Sequence, residues 1–278
     1  STTGEYASMK NGKVSVTVFN DQHSAGAIQV MVATNEAPSF ITVPYHDGPE
    51  IRPPPPPKPV PTGDCPTWYE TFQRPVGSTH WVNVKSAPYN AVGDGTSNDF
   101  TAINHALTAS RQPWKDGSSQ PRIAYFPSGH YRISDTLPSY MYTHMIGNHE
   151  CRPTVILDQS STAHFAIMAA PNFEGPGVDN FYHQIQNIDV QVSSPNAMGL
   201  HWKVAQGTNL RNMTFFMYGA DTAIFIENGG GGFIGDVSIK GGKTGLDIGG
   251  QQWMIRNLSI DGCTVMGINL RWNWLFTF

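Results

Sequence analysis

The sequence predicts an all-β solenoid, a right-handed single-stranded parallel β-helix closed at its N-terminal end by a helix. Three observations carry this. First, four segments share one pattern of apolar, any, Asn or Asp, apolar, polar, apolar: IQNIDV at 185–190, LRNMTF at 210–215, IGDVSI at 234–239 and IRNLSI at 255–260. Their Asn187, Asn212, Asp236 and Asn257 step by 25, 24 and 21 residues. Second, an independent register follows each one, MGL at 198–200, TAI at 222–224, TGL at 244–246 and MGI at 266–268, stepping by 24, 22 and 22. Two registers keeping one period mark a repeat architecture. Third, apolar residues within a repeat alternate, as in Leu246/Ile248 and Ile268/Leu270, which is the period of a strand and not of a helix.

Short strands at this period, parted by Gly and Asn turns, describe one coil per repeat. Stacked strands lie ~4.8 Å apart, so each inward Ile or Leu meets its counterpart one coil away. Asn187, Asn212, Asp236 and Asn257 are expected to form a ladder at one bend, because Asn tolerates the left-handed backbone such a bend needs. The handedness follows the general rule for parallel crossovers.

In chain order, residues 1–52 read as a β-rich segment, with alternation at 14–19 and 28–32. Residues 53–80 read as a proline-rich linker, its unbroken run at 53–57 extended by Pro59 and Pro61; a stiff polyproline II spacer is expected. The β-helix domain occupies 81–278. A helix is expected near 98–110, with Phe100, Ile103, Ala106 and Leu107 on its apolar face and a capping box between Thr96 and Asp99. It would cover the open end of the solenoid and block edge pairing. The acidic, Gly-rich loop before it lacks the alternating oxygen ligands of a calcium loop. Strands at 123–126, 131–133, 145–146, 155–157 and 165–167 are the less regular first coils.

Composition narrows the function. Only 14% of the 278 residues are charged, while Trp numbers 7, Gly 28 and Pro 21; a typical domain is ~25% charged. A polar, uncharged, aromatic surface suits carbohydrate. The net charge of −4 argues against a nucleic-acid partner. No apolar run approaches the ~20 residues of a membrane span, and no membrane partner is expected. The stretch that begins at Ser1 does not read as a signal peptide, so a secreted, extracellular form is expected to be already processed. The spacing of Cys65, Cys151 and Cys263 fits no metal or redox motif. One disulfide plus a free thiol, or a bridge to another chain, are both open, with Cys263 read as a buried free cysteine. The ten His show no ligand pair on a common element, so neither a metal nor a cofactor is expected.

The runs NAVGDGTSNDFTAINHAL and IAYFPSGHYRIS resemble the opening of the pectate-lyase-like β-helix superfamily. The later runs LHWKVAQGTNLRNMTF, IFIENGGGGFIGDVSIKGG, GGQQWMIRNLSI and WNWLFTF are similar to glycoside hydrolase family 55, the exo-β-1,3-glucanases or laminarinases, from about Trp81 onward. That resemblance implies two tandem β-helices with the substrate cleft between them, of which this chain supplies the first. It implies inverting hydrolysis of β-1,3-glucan, with the general acid on the second helix and so outside this chain. It also implies that Gln206 helps to hold the attacking water. Where the family carries a water-holding Ser, this chain has Gly230, a departure that weakens the water site.

Read from the residues themselves, Gln206, Gly230 and Gln251 each lie six positions before a ladder residue, so they form one line along the solenoid. Gln252 adjoins it. Two glutamines beside a glycine notch would hold a sugar hydroxyl or a water; alternatively they satisfy turn backbone. Glu227, beside the glycine run 229–232, would accept sugar hydroxyls or bond turn amides. Trp272 and Trp274 share one side of a strand: outward they stack on sugar, inward they are core. Asn212 and Asn257 open glycosylation sequons, of which at most one is expected to carry glycan. The partners expected are a β-glucan and a second β-helix segment or chain. Against the hydrolase stand a non-catalytic glucan-binding β-helix and a tailspike-like attachment fibre.

Overall fold

A computed structural model describes residues 27–32, 39–44, 65, 80–108, 122–169 and 180–278. Near the N-terminus, β1 (Ala27–Val32) pairs antiparallel with β2 (Ser39–Pro44), in keeping with the alternation at 28–32. The expected strand at 14–19 and the proline run lie outside the described residues.

From residue 81 every paired strand is parallel to its neighbours. The first coil comprises β3 (Trp81–Asn83), β4 (Asp94–Asn98) and the helix α1 (Phe100–Thr108). Three three-stranded coils follow: β5 (Arg122–Phe126), β6 (His130–Ile133) and β7 (Leu137–Ser139); β8 (Thr143–Gly147), β9 (Thr154–Leu157) and β10 (Phe165–Ala169); β11 (Gln184–Gln186), β12 (Asp189–Val192) and β13 (Met198–His201). In the last three coils two strands fuse into one long bent strand: β14 (Asn209–Met217) with β15 (Thr222–Ile226), β16 (Gly232–Gly241) with β17 (Thr244–Gln251), and β18 (Trp253–Asp261) with β19 (Met266–Trp274). Strands stack coil on coil. One sheet runs β7-β10-β13-β15-β17-β19, and the other two faces are joined through the bent strands.

The expected ladder is the hinge of these strands. Asn187, Asn212, Asp236 and Asn257 all take left-handed φ of 57, 50, 56 and 52°. Asn212 donates to Asn187 Oδ1 at 2.8 Å, and Asn257 donates to Asp236 Oδ1 at 2.8 Å. The amides therefore bond mostly each other rather than the neighbouring backbone. Arg152 anchors the ladder from outside, reaching Asn212 Oδ1 at 2.6 Å and the buried Asp189 at 3.0 Å. Inside, Leu210, Ile234 and Ile255 stack in register, and Phe215 and Ile239 continue the core. Both sequons begin within the ladder, so each Asn side chain already holds a partner.

The helix sits where the edge of the solenoid would be open. It packs against β6 and β7, and β7 is the end strand of its sheet. Ile103, Ala106 and Leu107 are fully buried, whereas Phe100 is only partly so, because it opens the first turn. The capping box does not form. The Asp99 carboxylate turns back to accept the N–H groups of Val92 and Gly93, and Asn98 Oδ1 takes the Phe100 N–H instead. At the other end the buried Arg122 donates to the Ala106 carbonyl at 2.7 Å, satisfying a terminal acceptor.

The cysteines resolve into a Cys65–Cys151 disulfide, with Cα atoms 5.8 Å apart, and a free, buried Cys263. The bridge ties the proline-rich segment to the loop beside Arg152.

Candidate functional site

A second hinge runs along the solenoid, at the corner where each coil begins. Tyr142, Tyr182, Gly207, Gly231, Gln252 and Leu275 all have left-handed φ, between 57 and 87°. They lie one above another in successive coils. The Tyr182 N–H donates to the Gln206 carbonyl and the Gln252 N–H to the Trp274 carbonyl. Pairing of Asn209 with Phe233 and of Gly232 with Trp253 sets the same register. One residue earlier runs the column Gln206, Gly230, Gln251, Trp274, the last two paired directly. The line expected from the six-residue count is therefore the rim of this corner.

The notch at Gly230 is occupied. A Cβ built on Gly230 would stand 2.9 Å from Gln206 Nε2. The Gln206 amide crosses this backbone and donates to Gln252 Oε1, two coils away, at 3.4 Å. Gly230 is thus the saddle over which two exposed glutamines meet. The other glycines of the run are close-packed between coils rather than open to a ligand. Added Cβ atoms at Gly229 and Gly231 would collide with the Val204 carbonyl and, at 2.7 Å, with the Gln252 carbonyl.

This difference gives an expected result. Gly230→Ser should fold with a nearly unchanged melting temperature, since only a flexible amide must yield. Gly231→Ser meets backbone and has φ of 87°, so it should lose about 2 kcal/mol or more, read from paired thermal melts.

Beside the rim, the end of the six-stranded sheet carries charge and aromatic rings. Phe165, His201 and Phe225 stack in series at 4.9 and 5.2 Å, and the Arg271 guanidinium closes the stack 4.8 Å above Phe225. Arg271 also pairs with Asp247 at 2.7 Å. Glu227 is held by Lys203 at 3.0 Å, with His201 Nε2 3.5 Å away. Partial burial pushes the Glu227 carboxyl up, but the Lys203 hydrogen bond and the charges of His201 and Lys203 outweigh it and leave it below the usual carboxylate range. Glu227 is therefore an ionised acceptor for hydroxyls, not a proton donor. One residue past the paired Ile226 and Ile248, Gly249 lies against the Glu227 carbonyl and under the Trp272 indole.

The two tryptophans face outward. Trp272 is 47% exposed and Trp274 58%, and neither belongs to the core cluster. The register shift between Ile248 and Gly249 opposite β19 brings Trp272 over Gly249. Gln206, Gln251, Gln252 and Trp274 thus share the corner, while Glu227 and Trp272 share the adjoining sheet end. The second left-handed hinge was missed in the sequence. Gly207 and Gly231, each five residues before a ladder position, were its signal, and Tyr142, Tyr182 and Gln252 at the equivalent positions hid it. Among the described residues no group of three His, Cys, Asp or Glu side chains could hold a metal ion, and no helix is long and apolar enough to cross a membrane.

Burial lowers the pKa of His201, and likewise that of His130 and His144. A His whose folded pKa is depressed binds its proton more readily when unfolded. Its stability contribution is therefore whole above the unfolded value near ~6.5 and is lost as pH falls through the folded one. Chemical denaturation at pH 7 and pH 5 should show lower stability at pH 5, and His201→Phe should shrink that difference.

Residues 81–278 match the family described as "Rhamnogalacturonase A/epimerase, pectate lyase-like", and the chain belongs to this pectate lyase-like β-helix family. Within it, the resemblance to glycoside hydrolase family 55 is borne out by named relatives. A "Probable glucan endo-1,3-beta-glucosidase" of Arthroderma benhamiae is 33% identical over 70% of this chain and 24% of its own length. A "Glucan 1,3-beta-glucosidase" of Cochliobolus carbonum is 36% identical over 69% of this chain and 26% of its own. A "Non-secreted LysM effector LysM15" of Penicillium expansum is 34% identical over 73% of this chain and 15% of its own. The chain thus spans about a quarter or less of these relatives. Among solved structures, an iota-carrageenase complexed to iota-carrageenan fragments covers 67% of this chain and 42% of its own, with a TM-score of 0.44 and 17% identity.

Proposed function

We propose that this chain forms one wall of a β-1,3-glucan cleft in an inverting exo-hydrolase. The observation that carries this reading is the corner itself, where Gln206 and Gln252 meet over Gly230 with Trp274 beyond. Amides that donate and accept match sugar hydroxyls, and an exposed indole matches the apolar face of a pyranose. The names of two relatives supply the linkage. Glu227, held ionised by Lys203, accepts further hydroxyls.

Inverting hydrolysis needs a carboxylic acid to protonate the leaving oxygen, and a second group ~6.5–9.5 Å away to activate water. Neither carboxylate beside the rim suits the first role. Glu227 is ionised, and Asp247 is paired with Arg271. In this reading the proton donor comes from a second β-helix segment, and Gln206 helps to seat the water. Export from the cell belongs to the same proposal and draws support from the Cys65–Cys151 disulfide, since such bonds persist in oxidising compartments.

A second reading, a non-catalytic glucan-binding β-helix, is favoured by Gly230 standing where the family carries a hydroxyl. Glucose release from laminarin separates the two. The isolated chain should bind laminarin and release no glucose. The hydrolase reading expects release once a second β-helix segment is supplied, and the binding reading expects none. Robust turnover by the isolated chain would refute both.

A further inference from the structure

A buried chain of polar side chains lies behind the corner. Ser139, His183 and Asn180 are 0, 0 and 3% exposed, and the His183 ring meets the buried Trp202 edge-on at 5.7 Å. Ser139 Oγ lies 3.1 Å from His183 Nδ1, and His183 Nε2 lies 2.6 Å from Asn180 Oδ1. Asn180 Nδ2 donates to the Lys203 carbonyl at 2.7 Å. That last bond sets the direction of the others. With its amide nitrogen on a carbonyl, Asn180 must accept through Oδ1. The His183 proton therefore sits on Nε2, and Nδ1 accepts the Ser139 hydroxyl.

The chain ends on the segment that carries the site. β13 stops at His201 and β14 begins at Asn209, so the backbone between them lies outside the strands. On the side of the preceding coil it is held by residues 180–183. The Lys203 carbonyl accepts from the Asn180 side chain, and the Ala205 N–H donates to the Asn180 carbonyl at 2.8 Å. The Tyr182 N–H donates to the Gln206 carbonyl at 3.2 Å, and the Asn209 N–H to the His183 carbonyl at 3.0 Å. From this segment Lys203 reaches Glu227 and Gln206 reaches Gln252. A fully paired buried network rigidifies what it holds.

We infer that His183 is a positioning residue for the corner. Through Asn180 it sets the backbone of residues 203–209, and with it the Gln206 amide and the Lys203–Glu227 pair. Sealed from solvent, none of Ser139, His183 and Asn180 touches substrate. The inference rests on the glucan-cleft reading for its purpose, and it names the buried group from which that wall takes its rigidity.

The test begins with hydrogen exchange in the isolated chain, comparing residues 202–209 with 244–251. His183→Phe keeps a ring against Trp202 and removes both hydrogen bonds of the imidazole. Exchange in 202–209 should accelerate about tenfold, as loss of one buried hydrogen bond allows, while 244–251 is unchanged. His183→Gln, whose amide nitrogen stands as many bonds from Cβ as Nε2 does, should restore protection. Ser139→Ala, a milder change, should show the same selective pattern at smaller size even if His183→Phe does not fold. In an assembly that releases glucose, His183→Phe should lower kcat about tenfold and leave KM nearly unmoved. On a Gln206→Ala background it should add almost nothing, because its effect runs through Gln206. Unchanged exchange, uniformly faster exchange, or the full kcat loss persisting on that background would each overturn the inference. A wild-type chain that binds no laminarihexaose overturns the glucan reading instead, and exchange in 202–209 still decides whether His183 holds the segment.

Discussion

Replacing Ile103 by Asp should lower the melting temperature by roughly 10 °C, the largest stability loss expected from one substitution here. Ile103 is fully buried on the inner face of α1, beside Ala106 and Leu107. An aspartate there is set into the apolar cluster that Ile103 now fills, so it is either ionised at a desolvation cost or protonated and poorly bonded. Either state costs on the order of 3 kcal/mol or more, which for a chain of this size is ~6–12 °C. The loss extends beyond the helix. α1 packs beside β7, the end strand of the six-stranded sheet, and a loosened helix exposes that edge to pairing. Phe100→Asp is the control, because Phe100 is only partly buried. Its loss should be clearly smaller. Equal melting temperatures for Ile103→Asp and wild type would show that the helix does not cap the core.

The second large effect concerns turnover. In an assembly that releases glucose, Gln206→Ala should lower kcat by about a hundredfold, the size seen when an oriented hydrogen-bonding group is removed from a transition state. KM should move little, because a group that positions water acts mainly in the transition state. The side chain is exposed and donates to Gln252 at 3.4 Å, so the fold should survive the change. A rise in KM with unchanged kcat would make Gln206 a sugar-binding group only.

The core of the solenoid was legible because its repeat has a physical cause. Each coil must present an apolar residue to the coil below and a left-handed residue at the bend. Asn187, Asn212, Asp236 and Asn257 satisfy the second demand with a side chain that also bonds its neighbour. The site was legible in part. The six-residue count placed Gln206, Gly230 and Gln251 on one rim because the coils keep register there. It could not show that Gln206 reaches over Gly230, since that depends on a side-chain rotamer. The notch at Gly230 was expected to hold a sugar hydroxyl or a water, whereas the Gln206 amide crosses it and the neighbouring glycines accommodate backbone of adjacent coils. Composition alone does not separate those cases. The stack of Phe165, His201 and Phe225 was hidden for another reason. Its members lie 36 and 24 residues apart, and the first step crosses the irregular coils, where no repeat guides the eye. The capping box failed because Asp99 has stronger partners in the N–H groups of Val92 and Gly93 than in the turn three residues back.

The central claim is that the corner from Gln206 to Trp274 binds β-1,3-glucan. The most direct test titrates laminarihexaose into the isolated chain and into Trp274→Ala. Trp274 is exposed and outside the core, so the variant should fold as wild type does. The account expects saturable binding by the wild-type chain and about a tenfold weaker affinity in the variant. Equal affinity in the folded variant, or no binding by the wild-type chain, would contradict it.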